Sequence, residues 1–153
     1  MRDPLPKRKQ IRLAGYDYSA AGVYFLTICT ANREKTLSSI CPDADDFAEP
    51  LLSLTDTGRI VETYLRRFPG ADKYVIMPNH VHLLVIRASD TGREIATDIN
   101  AFKSLVSKAV GRTVWQRGYY DHVIRNEKDY QNHWQYIEDN PVKWCEDPYF
   151  AEE

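Results

Sequence analysis

Apolar positions along the chain fall into two periods, and the alternation between them lays out the elements. Val23 to Thr30 (VYFLTICT) is a β-branched and aromatic run that follows Gly22, and it predicts a buried strand. Residues 33–53 have mixed composition with the acidic PDADD run at 42–46, and read as a loop. Beyond them Ile60, Val61, Tyr64, Leu65 and Phe68 recur at helical spacing. Thr55 or Thr57 can cap that helix, which runs to about Arg67 before Pro69-Gly70 stops it. Tyr74 to Met77 predicts a short strand, broken by Pro78-Asn79, and His80 to Ile86 (HVHLLVI) a further one. After a turn at Ser89 to Gly92, Ile99, Phe102, Val106 and Ala109/Val110 mark the apolar face of a helix over about Ile95 to Val110, with Gly111 just past its end. Val114 to Ile124 reads as extended, with an irregularity at Gly118. A last helix begins near Asn126, with Glu127 and Asp129 where the helix dipole favours acids, and ends by Asn140 because Pro141 cannot continue it.

The order β-α-β-β-α-β followed by one more helix predicts an α+β fold. It is a ferredoxin-like antiparallel sheet with two helices on one face and an additional C-terminal helix. At 153 residues the chain fits a single domain, with residues 1–15 as a basic N-terminal arm. No apolar stretch approaches the roughly 20 residues that span a bilayer, and the charged start MRDPLPKRKQIR has no apolar run behind it, so a cytoplasmic protein without membrane contact is expected. Three cysteines, Cys29, Cys41 and Cys145, lack metal-ligand spacing and are expected to be reduced.

On a strand, residues two apart share a face, so His80 and His82 stand side by side while Val81 points to the core. Two adjacent imidazoles form a natural metal site. By itself the pair is a weak signal, since such spacing also arises in ordinary surface or packing positions. On this reading neither imidazole belongs to the core, and Asn79 is a turn residue.

In the last helix Tyr130, Trp134 and Ile137 form an apolar stripe expected to be buried, and Tyr136 lies on roughly the opposite side. Asn132 and Asn140 flank Tyr136 one turn away on either side, and His133 precedes it by three. Asn140 could add an amide oxygen to the two imidazoles. Such a half-open N/O shell suits Mg²⁺ or Mn²⁺ better than structural zinc. An ion there would polarise a scissile phosphate, helping a phenol whose ordinary pKa is near 10 to attack it. The products would be a 5′-phosphotyrosine and a free 3′-OH, and that link keeps the phosphodiester energy for rejoining.

The blocks YVIMPNHVHLLV (74–85) and DHVIRNEKDYQNHWQYIEDNPVKW (121–144) resemble those of the HUH-endonuclease single-tyrosine transposases, in particular the REP-associated tyrosine transposases. RKQIRLAGYDYSAAGVYFLTICTANR (8–33) resembles the N-terminal block of the same group. The resemblance implies metal-dependent cutting and joining of single-stranded DNA with recognition of a short hairpin, by a monomer or a homodimer. It places the family's metal histidines on His80 and His82, its nucleophile on Tyr136 and its third ligand on Asn140.

The net charge of −2 is not that of a typical duplex binder, yet basic residues are concentrated locally. Lys7, Arg8, Lys9 and Arg12 in the arm are candidate phosphate contacts. Arg117, Tyr119 and Arg125 combine cations with an aromatic ring, as single-strand binding requires. Lys103 and Lys108 read as ordinary surface residues, and His122 as a packing or supporting group. A histidine-triad nucleotide hydrolase would need a third histidine where Leu84 stands. A domesticated, non-catalytic DNA-binding protein remains the alternative from a different class.

Overall fold

A computed structural model describes residues 21–41, 51–88 and 92–141. The basic arm, with Lys7, Arg8, Lys9 and Arg12, lies outside the described residues, as do Cys145 and the acidic 42–46 run.

Four strands make the main sheet: β1 (Gly22–Cys29), β4 (Ala71–Met77), β5 (His80–Arg87) and β6 (Tyr120–Val123). They lie in the order β4-β5-β1-β6, every neighbouring pair antiparallel. With helices α1 (Asp56–Leu65) and α2 (Ile95–Val110) between strands, and α3 (Glu127–Asp139) after the last, this is the expected ferredoxin-like arrangement with its added helix.

Side-chain alternation divides the sheet into two faces. Tyr24, Leu26 and Ile28 of β1 and Val81, Leu83 and Val85 of β5 point one way. They form the core with Val61 and Leu65 of α1 and Ile95, Ile99, Phe102 and Val106 of α2. Each such side chain contributes roughly 1.5–3 kcal/mol by leaving water. The residues between them on β1 and β5 look the other way, and that is the face α3 covers.

The stretch expected to be a loop contains a second ladder. Strand β2 (Ser38–Cys41) pairs with β3 (Leu51–Leu54). It is sewn to the turn between β4 and β5: the Leu37 N–H donates to the Pro78 carbonyl at 3.0 Å, and Ser38 Oγ to the Ile76 carbonyl at 3.0 Å. These four-residue strands are too short for a periodic signal, and nothing local links their pairing. Leu37 is fully buried.

Thr55 caps α1, its Oγ1 accepting from the Gly58 N–H at 3.0 Å. Gly58 sits where a Cβ would come within 2.0 Å of the Leu37 carbonyl oxygen. Alanine normally stabilises a helix by about 1 kcal/mol over glycine. Here Gly58→Ala is expected to lower stability by more than about 1 kcal/mol, because backbone must shift. Urea unfolding of the variant checks the sign.

The Val114–Ile124 segment is extended as expected but pairs only at its end, in β6, apart from one bridge between Thr30 and Trp115. Lys103 explains the interruption. Its Nζ reaches from α2 to donate to the carbonyls of Gln116 (2.9 Å) and Gly118 (2.8 Å), groups that a ladder would otherwise use. Its role is therefore structural, and burial pushes its pKa down.

Candidate metal and tyrosine site

Register fixes what faces α3. Thr27 stands opposite His82 and Cys29 opposite His80, while Phe25 lies between Leu84 on one side and His122 of β6 on the other. Directly opposed residues share a face, so both imidazoles, Thr27, Phe25 and His122 project beneath α3. The His80 and His82 rings lie 4.6 Å apart, and the Tyr136 ring meets His82 edge-on at 5.2 Å. Phe25 packs against His82 at 5.2 Å, His133 at 4.7 Å and Tyr136 at 6.1 Å.

Burial corrects the expectation that the two histidines stand apart from the packed interior: His80 is 0% and His82 1% exposed. Alternation put them on the side away from α1 and α2, as expected, but α3 closes over that side. The helix is also rotated from the expected setting. Tyr136, Ile137 and Asn140 turn toward the sheet, with Ile137 and Asn140 buried, while Trp134 and Tyr130 pack at the β4 edge. The Lys73 ammonium sits 3.9 Å over the Trp134 ring, and Tyr130 Oη donates to an Asp72 carboxylate oxygen at 2.5 Å.

The imidazoles are oriented by neighbours. His80 Nδ1 lies 2.8 Å from Asn79 Oδ1, and His82 Nδ1 lies 2.9 Å from Thr27 Oγ1. An amide oxygen only accepts, so His80 carries its proton on Nδ1 and presents the lone pair of Nε2. This is how metal-binding histidines are usually held. Asn79 is fully buried and does more than make the turn. Its position directly before the histidine pair was the available signal; Thr27 became visible only through strand register. One turn beyond Tyr136, Asn140 is 2% exposed and donates Nδ2 to the Tyr136 carbonyl at 3.0 Å. Its Oδ1 is buried without a hydrogen-bond partner among the described residues. A buried amide oxygen left unmatched is costly unless it serves a ligand.

The two tyrosines differ chemically. The hydrogen bond to Asp72, with burial and nearby acids, pushes the Tyr130 phenol up to about 12. It holds its proton and makes a poor nucleophile. Tyr130→Phe is expected to leave any covalent attachment to DNA within about threefold of the unaltered protein, which a denaturing-gel time course checks.

A second group of metal-capable side chains lies nearby. Donor atoms of His122, Asp129 and His133 all fall within 4.8 Å of one another.

Of the residues expected to touch DNA, Arg117 and Arg125 are exposed. Tyr119 is not available for stacking on bases: it is 7% exposed and belongs to the core formed with α2. It is the inward member of the adjacent pair Tyr119-Tyr120, because alternation entering β6 turns one ring to each side.

No protein-family model matches the chain. A Haemophilus influenzae protein described only as uncharacterized is 30% identical, over 95% of this chain and 94% of its own length. A putative REP-associated tyrosine transposase of the same organism is 27% identical, over 83% of this chain and 74% of that protein. The REP-associated tyrosine transposase of Escherichia coli is 32% identical over 46% of this chain and 42% of its own. The fold matches a solved REP-associated tyrosine transposase bound to a REP hairpin, with a TM-score of 0.64 and 22% identity, over 88% of this chain and 74% of that one. In sequence the chain is thus similar to REP-associated tyrosine transposases, and its fold is that of a solved member of that group.

Proposed function

We propose that this protein is a transposase that cuts and rejoins single-stranded DNA beside a hairpin, with Tyr136 as nucleophile and a divalent ion, Mg²⁺ or Mn²⁺, held by His80, His82 and Asn140. The observation that carries the reading is the convergence of His80, His82 and Tyr136 under α3, at ring separations of 4.6 and 5.2 Å. The donor set fits the ion: two imidazoles oriented through Nδ1, and a buried amide oxygen with no hydrogen-bond partner among the described residues. Bound there, a divalent ion would supply Lewis-acid polarisation of the phosphate.

The chain's own groups do the rest. Tyr136 Oη attacks phosphorus and loses its proton as the O–P bond forms. The bond from phosphorus to the 3′ oxygen breaks, and that oxygen takes up a proton. Rejoining is the reverse attack by a 3′-OH on the phosphotyrosine. Asn140, tied to the Tyr136 carbonyl, and Phe25, packed against the Tyr136 ring, set the angle at which the phenol is presented. Asn79 holds His80 in the ligating tautomer, and Thr27 orients His82 through its Nδ1.

Arg117 and Arg125 are placed to meet phosphates, with Lys7, Arg8, Lys9 and Arg12 as further cations from the arm. Neutralising any one cation that meets a phosphate should flatten the salt dependence of binding by roughly one unit of log–log slope. The solved relative's REP hairpin supports a hairpin as the recognised element. The test is incubation of the protein with labelled single-stranded hairpins from the DNA flanking its own gene, with Mn²⁺, Mg²⁺ or EDTA. A metal-dependent adduct mapped to Tyr136 is expected. Binding without any adduct would replace this reading with that of a non-catalytic hairpin-binding protein.

A further inference from the structure

We infer that His122, Asp129 and His133 form a second metal site, separate from the one at His80 and His82, which takes a borderline divalent ion such as Zn²⁺ and clamps the start of α3 to β6. His122 comes from β6, and Asp129 and His133 lie one turn apart on α3, so an ion bound here joins a strand to a helix. Asp129 already bridges the two imidazoles. One carboxylate oxygen lies 2.9 Å from His122 Nε2 and the other 3.2 Å from His133 Nδ1. The two rings stack at 4.7 Å with 20° between their planes, and the donor atoms of the three residues all lie within 4.8 Å of one another. Ligand bonds of about 2.0–2.1 Å in a tetrahedral zinc shell put donors roughly 3.3 Å apart, so three donors that already lie within 4.8 Å of one another would draw together on binding. Imidazole and carboxylate together suit zinc better than the oxygen-rich shells of Mg²⁺ or Ca²⁺.

Two features support a preformed site. Asp129 is held in place, accepting from the Arg125 N–H at 3.0 Å while its own N–H donates to the Asn126 cap at 2.8 Å. Burial pushes its carboxyl up, but hydrogen bonds from His122 and the Arg125 backbone and the two nearby imidazoles outweigh this and hold it below its ordinary value. The histidines remain partly open, with His122 and His133 side chains 41% and 24% exposed, so an ion can enter and keep a water in the remaining position. For binding, His133 must carry its proton on Nε2, which gives up its Nδ1 hydrogen bond with the Asp129 carbonyl at 2.9 Å. Phe25 lies against both His82 and His133, so an apolar ring stands between the two candidate sites.

The test is zinc titration of the metal-free full-length protein against a chromophoric chelator, with thermal unfolding followed in parallel. His122→Gln and His133→Gln are each expected to weaken one equivalent of zinc by more than about 100-fold, beyond the roughly 10–100-fold that loss of a supporting residue costs, and to remove its contribution to thermal stability. Asp129→Asn should behave alike while preserving the helix start. His80→Gln should leave this equivalent in place, whatever it does to the other site and to DNA cleavage. Equal zinc binding by the unaltered protein, His122→Gln and His133→Gln, or no zinc bound at all, would overturn the inference without touching the assignment of Tyr136.

Discussion

Tyr136→Phe is expected to abolish the covalent DNA adduct, a loss on the order of 10⁴-fold or more in attachment rate, while hairpin binding stays within a few-fold of the unaltered protein. The substitution removes one oxygen and keeps the ring that packs edge-on to His82 and against Phe25. Stability should therefore change little, and the readout is chemical. Paired with Tyr130→Phe it separates the two tyrosines of α3. Tyr130 spends its hydroxyl on Asp72, whereas Tyr136 is the phenol beside the histidine pair. Attachment surviving in Tyr136→Phe and vanishing in Tyr130→Phe would reverse the assignment.

The second large effect concerns the histidines and differs from what the sequence pattern led us to expect. His80→Ala or His82→Ala should reduce attachment by on the order of 10²–10³-fold, the usual scale for losing a charge-stabilising group. Each should also cost about 2–4 kcal/mol of stability. Both rings are buried, so truncation opens a cavity and removes the partner of Asn79 Oδ1 or of Thr27 Oγ1. Activity loss alone would thus be ambiguous. Added Mn²⁺ should raise the melting temperature of the unaltered protein, by the mass-action stabilisation of a state that binds a ligand, and should fail to do so for either variant. A variant that is destabilised yet still responds to Mn²⁺ would mean that the histidines are packing groups and the ion sits elsewhere.

Much of the architecture was legible in the chain. The 3.6-residue spacing of Ile99, Phe102 and Val106, closed by Gly111, marks α2, and the observed helix covers the expected residues. The β-branched runs at 23–30 and 80–86 give the two central strands, whose alternation places His80 and His82 on one face. These are local matters, decided by side-chain period and caps. Asn126, too, caps the helix that starts where the chain indicates.

What escaped the sequence depends on contacts between distant segments. The β2–β3 ladder has no periodic signature in its four-residue strands, and it is held by bonds to the β4–β5 turn. Lys103 looks like a surface lysine until α2 is laid beside the carbonyls of residues 116 and 118. Helical spacing grouped Tyr130 with Ile137 as a buried stripe, but the rotation of α3 about its axis is set by what it packs on. Phe25 and His82 on one strand pair draw Tyr136 inward, and Asp72 on the edge strand takes Tyr130. Residue type and strand period are local properties, and they were enough to say which side chains could do the chemistry. The inward turn of the Tyr136 face of α3, the burial of the histidines, and the meeting of His122 with Asp129 and His133 all had to wait for the packed fold. Each depends on how α3 lies across the sheet, and that is fixed by side-chain packing between segments far apart in the chain.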